Sequence, residues 1–239
     1  MVSPRSDDPR QSASLIPPAK LAQVWIDFDG TITQKDVLDE LITRFAVDDS
    51  WKQAEREWQA GKIGSADCLR RQFAVVRISD EQLGPFVDSI PIDPGIVSLL
   101  SLVKKLNVPI AVLSDGIDRF IKPILARSGI SDLMIRSNSI DRDGLKVNLV
   151  CPHGRADCVS KSAHCKCGSI DLLGQTEKQS IYIGDGRSDL CPSRKSECVF
   201  AKGVLGKFLE EEGMPFIPFD TLSEVHGILS TAWGLAPSL

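Results

Sequence analysis

The sequence predicts an α/β protein with a doubly wound parallel sheet and helices on both faces. Short, continuously apolar segments recur along the chain, and helical patterns lie between several of them. Strands that alternate with helices pair in parallel through right-handed crossovers. In addition, two acidic residues stand at the end of the first apolar segment. Because open α/β sheets bind ligands beyond the carboxyl ends of their strands, these acids indicate where the functional site lies.

Apolar runs bounded by turn residues mark the predicted strands. They cover residues 24–29, 108–114, 180–184 and 198–201, with a weaker candidate at 215–218. A turn signal at residues 141–144, followed by alternating apolar residues, predicts a short hairpin over 140–150 at the edge of the sheet.

Helical spacing of apolar residues marks the predicted helices. They cover residues 94–107, 117–127, 204–212 and 222–231. Gly95, directly after Pro94, is typical of a helix start. The positions of these helices between the strands support parallel pairing.

One connection is too long for a simple crossover. About sixty residues separate Asp29 from Pro94 without a convincing strand, and they carry helical patterns instead. We expect a small all-helical cap domain over residues 34–90, inserted after the first strand and placed over the strand ends. The core domain would comprise residues 21–33 and 91–239. Residues 1–20, rich in Ser, Pro and charge, would form a disordered tail.

The overall composition excludes several classes of protein. The net charge of −4 over 239 residues gives no basic field for nucleic acid, and no apolar run is long enough to span a membrane. The first twenty residues lack the hydrophobic stretch of a signal peptide. We therefore expect a cytoplasmic protein whose seven cysteines are mostly reduced.

Polar residues follow three of the predicted strands. Asp27 and Asp29 end the first, Ser114 ends the second, and Asp185 and Asp189 follow the third. In a parallel sheet these positions lie along one edge, so the side chains should converge. Two carboxylates 4 Å apart repel by about 4 kcal/mol at an effective dielectric near 20, so the group needs a cation. All-oxygen ligands favour Mg²⁺, which also binds phosphate oxygens.

This arrangement suits phosphoryl transfer. Asp27 and Asp29 lie two residues apart, so both side chains can reach one phosphorus atom, one as nucleophile and the other as the group that handles the leaving-group proton. Ser114 and the amide of Gly116 could hold phosphoryl oxygens, with a lysine to balance their charge. Each motif alone is commonly a turn or a helix cap. Their joint occurrence, in order and after apolar strands, favours the functional interpretation.

The motifs resemble those of the haloacid dehalogenase (HAD) superfamily of phosphatases. The segment Asp27-Phe28-Asp29-Gly30-Thr31 is similar to the first motif, Ser114 to the second, and residues 184–189 to the fourth. The resemblance implies a Rossmann-like core, Mg²⁺ and an aspartyl-phosphate intermediate. It implies that Asp27 is the nucleophile, that Asp29 is the general acid and base, and that Thr31 belongs to the phosphate site. The implied Mg²⁺ ligands are Asp27, Asp29 through its backbone carbonyl, Asp185 and the nearby Asp189.

The predicted cap resembles that of the phosphoserine phosphatase branch. By this resemblance Asp36 would contact substrate, with Arg71 as a weaker candidate; an exposed helix charge is an equal alternative for Asp36 and the favoured one for Arg71. The cysteine-rich stretch after Pro152-His153 resembles the methionine-salvage phosphatases. This likeness places the phosphate-binding lysine at Lys166, with Lys161 and Lys178 as alternatives.

Four cysteines within seventeen residues form a further cluster. Cys151, Cys158, Cys165 and Cys167 could hold a structural Zn²⁺, although their spacing is not that of a standard zinc ribbon. The alternative is a set of reduced, partly buried thiols that shape the wall of the site.

The leading functional hypothesis is an Mg²⁺-dependent phosphatase acting on a phosphomonoester of a small metabolite. The methionine-salvage keto-enol phosphate is the first candidate substrate, followed by phosphoserine or another small phosphorylated acid or amine. A phosphotransferase on the same core is the alternative enzyme. A non-catalytic binding protein would be expected to lack one of the four acids, and all four are present.

Overall fold

A seven-stranded sheet forms the centre of the protein in the computed structural model, which describes residues 15–235. Its strand order is β4-β3-β2-β1-β5-β6-β7, and every neighbouring pair is parallel except the antiparallel β3 and β4. The predicted doubly wound parallel sheet is therefore confirmed. The strands are β1 (Ala22–Ile26), β2 (Ile110–Ile117), β3 (Met134–Asp143), β4 (Lys146–Val150), β5 (Gln179–Gly184), β6 (Cys198–Ala201) and β7 (Ile217–Pro218).

Helices cover both faces of this sheet. Along β1, Val24 and Ile26 pack into one apolar cluster, whereas Trp25 between them packs into a second cluster with Leu205 and Leu209. Because alternate strand residues point to opposite faces, both faces of β1 are buried. The helices are α1 (Val37–Phe45), α2 (Trp51–Gln59), α3 (Ser65–Ala74), α4 (Asp80–Asp88), α5 (Gly95–Lys105), α6 (Asp118–Ala126), α7 (Lys166–Leu173), α8 (Leu190–Ser193), α9 (Gly203–Glu211) and α10 (Leu222–Ala232).

Several strand boundaries differ from the prediction. β1 ends at Ile26, so both Asp27 and Asp29 lie beyond the strand. β2 continues to Ile117, where a helix start was predicted. The predicted hairpin over 140–150 is present, but β3 already begins at Met134 and first pairs in parallel with β2. The half-exposed, polar stretch that forms β3 carries no continuous apolar signal, because this strand lies near the edge of the sheet.

The long connection after β1 contains four helices, α1 to α4, which we call the helical segment (residues 37–88). The stretches of chain on either side of it meet in an isolated antiparallel bridge between Thr33 and Ile92. Arg142, on β3, donates to the backbone carbonyl of Ile78 and pairs with Asp80, which attaches the segment to the edge hairpin.

The N-terminal prediction requires a correction. Residues 1–14 of the predicted tail lie outside the described residues. Residues 15–20 are not a free tail, because Ile16 is buried in the core and Trp233 donates from its indole nitrogen to the carbonyl of Pro17 at 2.9 Å. Between residues 15 and 235, none of the helices combines the length and the apolar character that crossing a bilayer requires.

Candidate active site

A tight turn places the first two acids at the end of β1. The amide of Asp27 donates to the carbonyl of Ile183 at 2.9 Å, which continues the β1–β5 pairing by one residue. The carbonyl of Phe28 then accepts from the amides of residues 31, 32 and 33, and this closes the turn. Gly30 has a φ of 76°, a conformation that favours glycine.

The same turn positions Asp185, which follows β5. The hydroxyl of Thr31 donates to Oδ1 of Asp185 at 2.8 Å. A Cβ on Gly30 would collide with the Asp185 carboxylate, so glycine is needed for this close approach. Thr31, predicted as a phosphate or substrate contact, thus holds a neighbouring acid.

Three carboxylates form a cluster in which a metal ion could bind. Oxygens of Asp27, Asp185 and Asp189 all lie within 4.8 Å of one another. Burial and repulsion from Asp189 raise the pKa of Asp185 to about 6. Burial and the same neighbour raise the pKa of Asp27 well above its usual range, against the opposing effect of Lys166. Burial and mutual repulsion thus disfavour the ionised carboxylates, and an oxygen-seeking divalent cation would stabilise them.

Lys166 is the buried cation of this cluster. Its ammonium nitrogen donates to Oδ1 of Asp27 and to Oδ1 of Asp189, both at 2.6 Å, and to the hydroxyl of Ser188 at 3.1 Å. Burial alone would lower the pKa of Lys166, but the Asp189 and Asp27 carboxylates together raise it well above its usual value. The lysine is therefore held in its charged form.

Asp189 is fully buried and has partners on both oxygens. Besides Lys166, its Oδ1 accepts from the hydroxyl of Tyr182 at 2.6 Å. Its Oδ2 accepts from the amides of Asp185 and Gly186 at 3.1 and 2.9 Å. Asp189, predicted as a metal ligand or close neighbour, thus fixes both the lysine and the loop after β5. Tyr182 was not predicted as part of the site.

The second strand contributes a contact to Asp29. The hydroxyl of Ser114 donates to Oδ2 of Asp29 at 3.0 Å and accepts from the amide of Gly116 at 2.8 Å. A Cβ on Gly116 would lie 2.7 Å from Oδ2 of Asp29, so this position also needs glycine. Burial, and next the Asp36 carboxylate, raise the pKa of Asp29 to about 8. Asp29 is thus a carboxylic acid over much of the neutral range.

The acidic residues line a cavity of about 130 Å³, which lies between the strand ends and the helical segment. The helical segment contributes acidic side chains, including Asp39 and Glu55, together with apolar ones. Burial and the Glu55 carboxylate raise the pKa of Asp39. The other lining residues are Asp27, Asp29, Asp36, Leu38, Trp58, Ser65, Cys68, Leu69, Gln72, Asp115, Asp185, Gly186, Arg187 and Ser188.

Of the two cap residues predicted to contact substrate, one lines the cavity and the other does not. Asp36 lines the cavity and caps α1 by accepting from the amides of Leu38 and Asp39 at 2.8 and 3.0 Å. Asp36 remains exposed to solvent, and the protein atoms that surround it, followed by the Asp39 carboxylate, raise its pKa to about 7. Arg71 does not line the cavity but pairs with Glu57 at 2.6 Å on the exposed side of the segment. The prediction for Arg71 is therefore wrong, because its position on α3 points it to solvent.

Asp115 is a residue of the cavity that sequence reasoning missed. One of its oxygens accepts from the hydroxyl of Ser65 on α3 at 2.8 Å, and the other from the amide of His164 at 2.8 Å. Burial raises its pKa. Asp115 thus connects the helical segment to the core, and its place next to Ser114 was the available signal.

His164 is buried beside this connection. Its Nδ1 lies 2.9 Å from the carbonyl of Ser114 and must donate to it, so Nε2 accepts from the hydroxyl of Ser169 at 2.7 Å. Burial lowers the pKa of His164 to about 3, so the imidazole is neutral at physiological pH.

The alternative lysines lie elsewhere. Lys161 lines a neighbouring cavity and its backbone carbonyl accepts from the amide of Ala66. Lys178 precedes β5, at the opposite end of that strand from Asp185, and donates to the carbonyl of Lys20. Of the three candidates, Lys166 alone reaches the acid cluster.

The cysteine cluster does not form the predicted zinc site. Cys167 is disulfide-bonded to Cys191, and the thiol of Cys165 caps α7 by accepting from the amide of Gly168. Within residues 15–235 the carboxylate trio is the one group arranged to hold a metal ion. The expectation that the cysteines are mostly reduced agrees with five of the seven; the bonded pair is the exception, because its pairing depends on the distance between α7 and α8. The free cysteines are Cys68, Cys151, Cys158, Cys165 and Cys198.

Comparison with known proteins is consistent with this geometry. Residues 22–201 match the family model described as "Putative Phosphatase". The chain is 28% identical over 214 residues to the 2-hydroxy-3-keto-5-methylthiopentenyl-1-phosphate phosphatase of Brevibacillus brevis, and the alignment covers 88% of this chain and 96% of that protein.

Solved structures share the fold. One is a HAD family hydrolase from Salmonella enterica serovar Typhi, with a TM-score of 0.68, 18% identity, and coverage of 90% of this chain and 72% of that one. Another is a substrate-bound phosphoserine phosphatase complex, with a TM-score of 0.62, 18% identity, and coverage of 85% and 95%. At these identities the likeness concerns the fold alone.

Proposed function

The chain belongs to the "Putative Phosphatase" family and is a HAD-type phosphoric monoester hydrolase, and we propose that Asp27 is its nucleophile. The observation that carries this assignment is the 2.6 Å contact between Lys166 and Oδ1 of Asp27, inside the carboxylate cluster at the cavity. In the proposed reaction, a carboxylate oxygen of Asp27 attacks phosphorus and the alcohol leaves, which forms an aspartyl-phosphate. Water then attacks phosphorus and frees inorganic phosphate and Asp27.

Lys166 contributes charge where the phosphoryl group would sit. Its ammonium is buried and held by Asp189 and Ser188, so it is already positioned before substrate arrives. A fixed cation beside the transferring group stabilises the negative charge of the transition state. We assign Asp189 and Tyr182 the task of holding Lys166 in place.

Asp29 is the proposed proton carrier. With a pKa raised to about 8, it can give a proton to the departing alkoxide and then accept one from the attacking water. The hydroxyl of Ser114 orients Asp29 by donating to its Oδ2. In the substrate complex, we assign the same hydroxyl and the amide of Gly116 to the phosphate oxygens.

The carboxylate cluster fits a divalent cation, and we propose Mg²⁺. Asp27 and Asp185 are the side chains that would hold it, together with the backbone carbonyl of Asp29, because the oxygens of Asp189 already have hydrogen-bond partners. A bound Mg²⁺ supplies charge neutralisation for the phosphate and the acids. The hydroxyl of Thr31 holds Asp185, one of these proposed ligands, by donating a hydrogen bond to it.

The helical segment is proposed to act as the cap that selects the substrate, corresponding to the predicted cap domain over residues 34–90. Leu38, Trp58 and Leu69 give the cavity an apolar part, while Asp39 and Glu55 give it hydrogen-bond acceptors. An uncharged leaving group with hydroxyl and thioether functions suits such a lining. This supports the methionine-salvage keto-enol phosphate, the substrate in the name of the B. brevis relative, as the first candidate.

A phosphomonoester of a small amine is the second candidate, and the acidic lining favours it. Glu55 is held at the cavity by a bond from the side-chain amide of Gln72 at 2.9 Å, and Asp39 lies beside it. An ammonium group would be attracted to these two carboxylates, whereas the carboxylate of phosphoserine would be repelled. Arg71, the predicted cap cation, does not offset this repulsion, because it points to solvent.

The test is phosphate release from three substrates at equal concentration and saturating Mg²⁺: the methionine-salvage phosphate, phosphoethanolamine and phosphoserine. We expect kcat/KM to be highest for one of the first two and lowest for phosphoserine. The Glu55→Gln variant should lower kcat/KM only for the amine. A preference for phosphoserine would contradict the substrate proposal, and absence of phosphate release from every substrate would contradict the hydrolase. Phosphate transfer to an added alcohol in place of release would indicate a phosphotransferase.

A further inference from the structure

The disulfide between Cys167 and Cys191 joins the two segments that form the lysine site. Cys167 directly follows Lys166 at the start of α7, and Cys191 lies in α8, two residues after Asp189. The two Cα atoms are 6.6 Å apart. The covalent link therefore lies beside the ion pair between Lys166 and Asp189.

Non-covalent contacts also hold these two segments together, including Leu173 of α7 and Leu190 of α8, which pack against the same apolar cluster. Lys166 reaches across to Asp189 and Ser188 at 2.6 and 3.1 Å. On the surface, Lys195 pairs with Asp171 at 2.7 Å, but exposed ion pairs of this kind contribute at most about 1 kcal/mol. The disulfide is the covalent constraint on the position of Lys166 relative to Asp189.

The Cys191 end of this disulfide faces a second cavity. Cys191 is half-buried and lines a cavity of about 430 Å³ that adjoins the catalytic cavity through Trp58, Ser65 and Arg187. Basic side chains surround this second cavity, namely Lys62, Lys161, Arg187 and Arg194. Such a lining attracts an anionic thiol, for example glutathione, whose carboxylates complement the basic groups.

We propose that the Cys167–Cys191 pair is a reversible thiol–disulfide modification site that controls the position of Lys166. The inference rests on the proposed role of Lys166 at the phosphate. A thiolate entering the second cavity attacks Sγ of Cys191, forming a mixed disulfide and releasing the thiolate of Cys167, which takes up a proton. A second thiol then attacks the mixed disulfide. The products are the oxidised small disulfide and two cysteine thiols, so the protein gains two electrons and two protons.

Reduction removes the covalent tie between α7 and α8. The ion pair and the shared apolar cluster remain, but without the disulfide the distance between the two segments is less tightly constrained. Since displacements near 1 Å in a positioning group lower rates strongly, we expect reduction to lower kcat/KM by about tenfold. Inhibition by inorganic phosphate should weaken in parallel, because Lys166 would also bind the product.

The first measurement is a thiol count. Alkylation of the denatured, unreduced protein should label the five free cysteines, and all seven after reduction by dithiothreitol. Peptide mapping should join Cys167 to Cys191. In the Cys191→Ser variant, the counts before and after reduction should be equal. Seven labelled cysteines in protein purified without reductant and treated with oxidised glutathione would overturn the proposal.

The second measurement compares activity before and after dithiothreitol, with phosphate release and the inhibition constant for inorganic phosphate as readouts. Wild type should lose activity on reduction and regain it with oxidised glutathione, whereas Cys191→Ser should be low and insensitive to both. Cys158→Ser is the matched control, because this cysteine is free and half-buried, and it should respond like wild type. Circular dichroism of reduced wild type checks that the fold is retained.

The outcomes separate this inference from the proposed function. Active wild type whose phosphate release and phosphate inhibition do not change on reduction would overturn the redox inference and leave the phosphatase assignment intact. Protein that releases no phosphate in either state would contradict the proposed function, while the thiol count would still report on the disulfide.

Discussion

The ammonium nitrogen of Lys166 lies 2.6 Å from Oδ1 of Asp27, although 139 residues separate them in the sequence. Both side chains are almost completely buried. The contact places a cation directly at the proposed nucleophile. The positive charge of Lys166 also offsets the negative charge of the buried carboxylates. Catalysis and stability are therefore linked at this pair.

Replacing the proposed nucleophile should abolish turnover. Asp27→Asn keeps the shape of the side chain but removes the nucleophilic carboxylate, so we expect kcat to fall by at least about a thousandfold. The measurement is phosphate release at saturating Mg²⁺. Asp132→Asn, in the exposed loop before β3, is the matched control and should behave like wild type. An Asp27→Asn variant that keeps a tenth of the wild-type activity would remove Asp27 as nucleophile.

Removing the buried cation should affect both activity and stability. Lys166→Met leaves Asp27 and Asp189 without their shared partner, and breaking such a pair costs about 3–5 kcal/mol of unfolding free energy. We expect a lower urea midpoint at pH 7 and a loss of about a hundredfold or more in kcat/KM. Lys178→Met, at the far end of β5, should change neither quantity. Equal effects of the two substitutions would argue against Lys166 as the phosphate-binding lysine.

The proposed acid should make activity fall at alkaline pH. The pKa of Asp29, raised to about 8 by burial and by Asp36, means that the proton needed by the leaving group is present below pH 8 and is lost above it. For an alkyl phosphate, kcat should therefore drop about tenfold per pH unit beyond that point. p-Nitrophenyl phosphate, whose leaving group needs no proton, should show a weaker decline. The same alkaline profile for both substrates would contradict this role.

Metal dependence should itself vary with pH. Asp185 has a pKa raised to about 6, so protons compete with Mg²⁺ for its carboxylate below pH 6 and not above. The Mg²⁺ concentration for half-maximal activity should rise as pH falls through 6, and Asp185→Asn should raise it at every pH. Excess EDTA should stop phosphate release, and Mg²⁺ should restore it. Full activity in EDTA would contradict the proposed metal site.

The buried histidine should contribute to acid sensitivity. The pKa of His164 is lowered to about 3 by burial, below the value near 6.5 of an unfolded chain. Its contribution to stability is therefore complete above pH 6.5 and declines by about 1.4 kcal/mol per pH unit as pH falls from 6.5 towards 3. This contribution is measured by urea unfolding of wild type and the His164→Gln variant from pH 7 to 5. The difference in unfolding free energy between them should shrink at lower pH, and a constant difference would refute the assignment.

Much of this site was predictable because it lies in short motifs at strand ends. Asp27, Asp29, Ser114 and Asp185 stand directly after apolar segments, and parallel pairing brings such positions to one edge. The phosphate-binding lysine was harder to predict, because the residues before α7 carry no strand signal. Three lysines were therefore possible for this role. Only the path of the chain through residues 151–165 decides which of them reaches the acids.

Other predictions failed where side-chain direction decides the outcome. Arg71 was placed in the substrate site from its location in the cap, but its face of α3 points to Glu57 and solvent. The four clustered cysteines suggested a metal site from their proximity in sequence, whereas Cys167 pairs with Cys191, which is distant in sequence. A long-range pairing is not encoded in local spacing, whereas the buried face of α3, which includes Cys68, Leu69 and Phe73, was an available signal that Arg71 faces outward.

The sequence by itself determined the parallel α/β class, most of the strands and helices along the chain, and the acids at the edge of the sheet, because hydrophobic periodicity and strand-end motifs are local properties of the chain. Tertiary structure alone decided which lysine neutralises Asp27, that Asp115 ties Ser65 of the helical segment to the core, and which cysteines bond. These depend on distances between segments far apart in the chain, and such distances are set only when the apolar surfaces of those segments pack together.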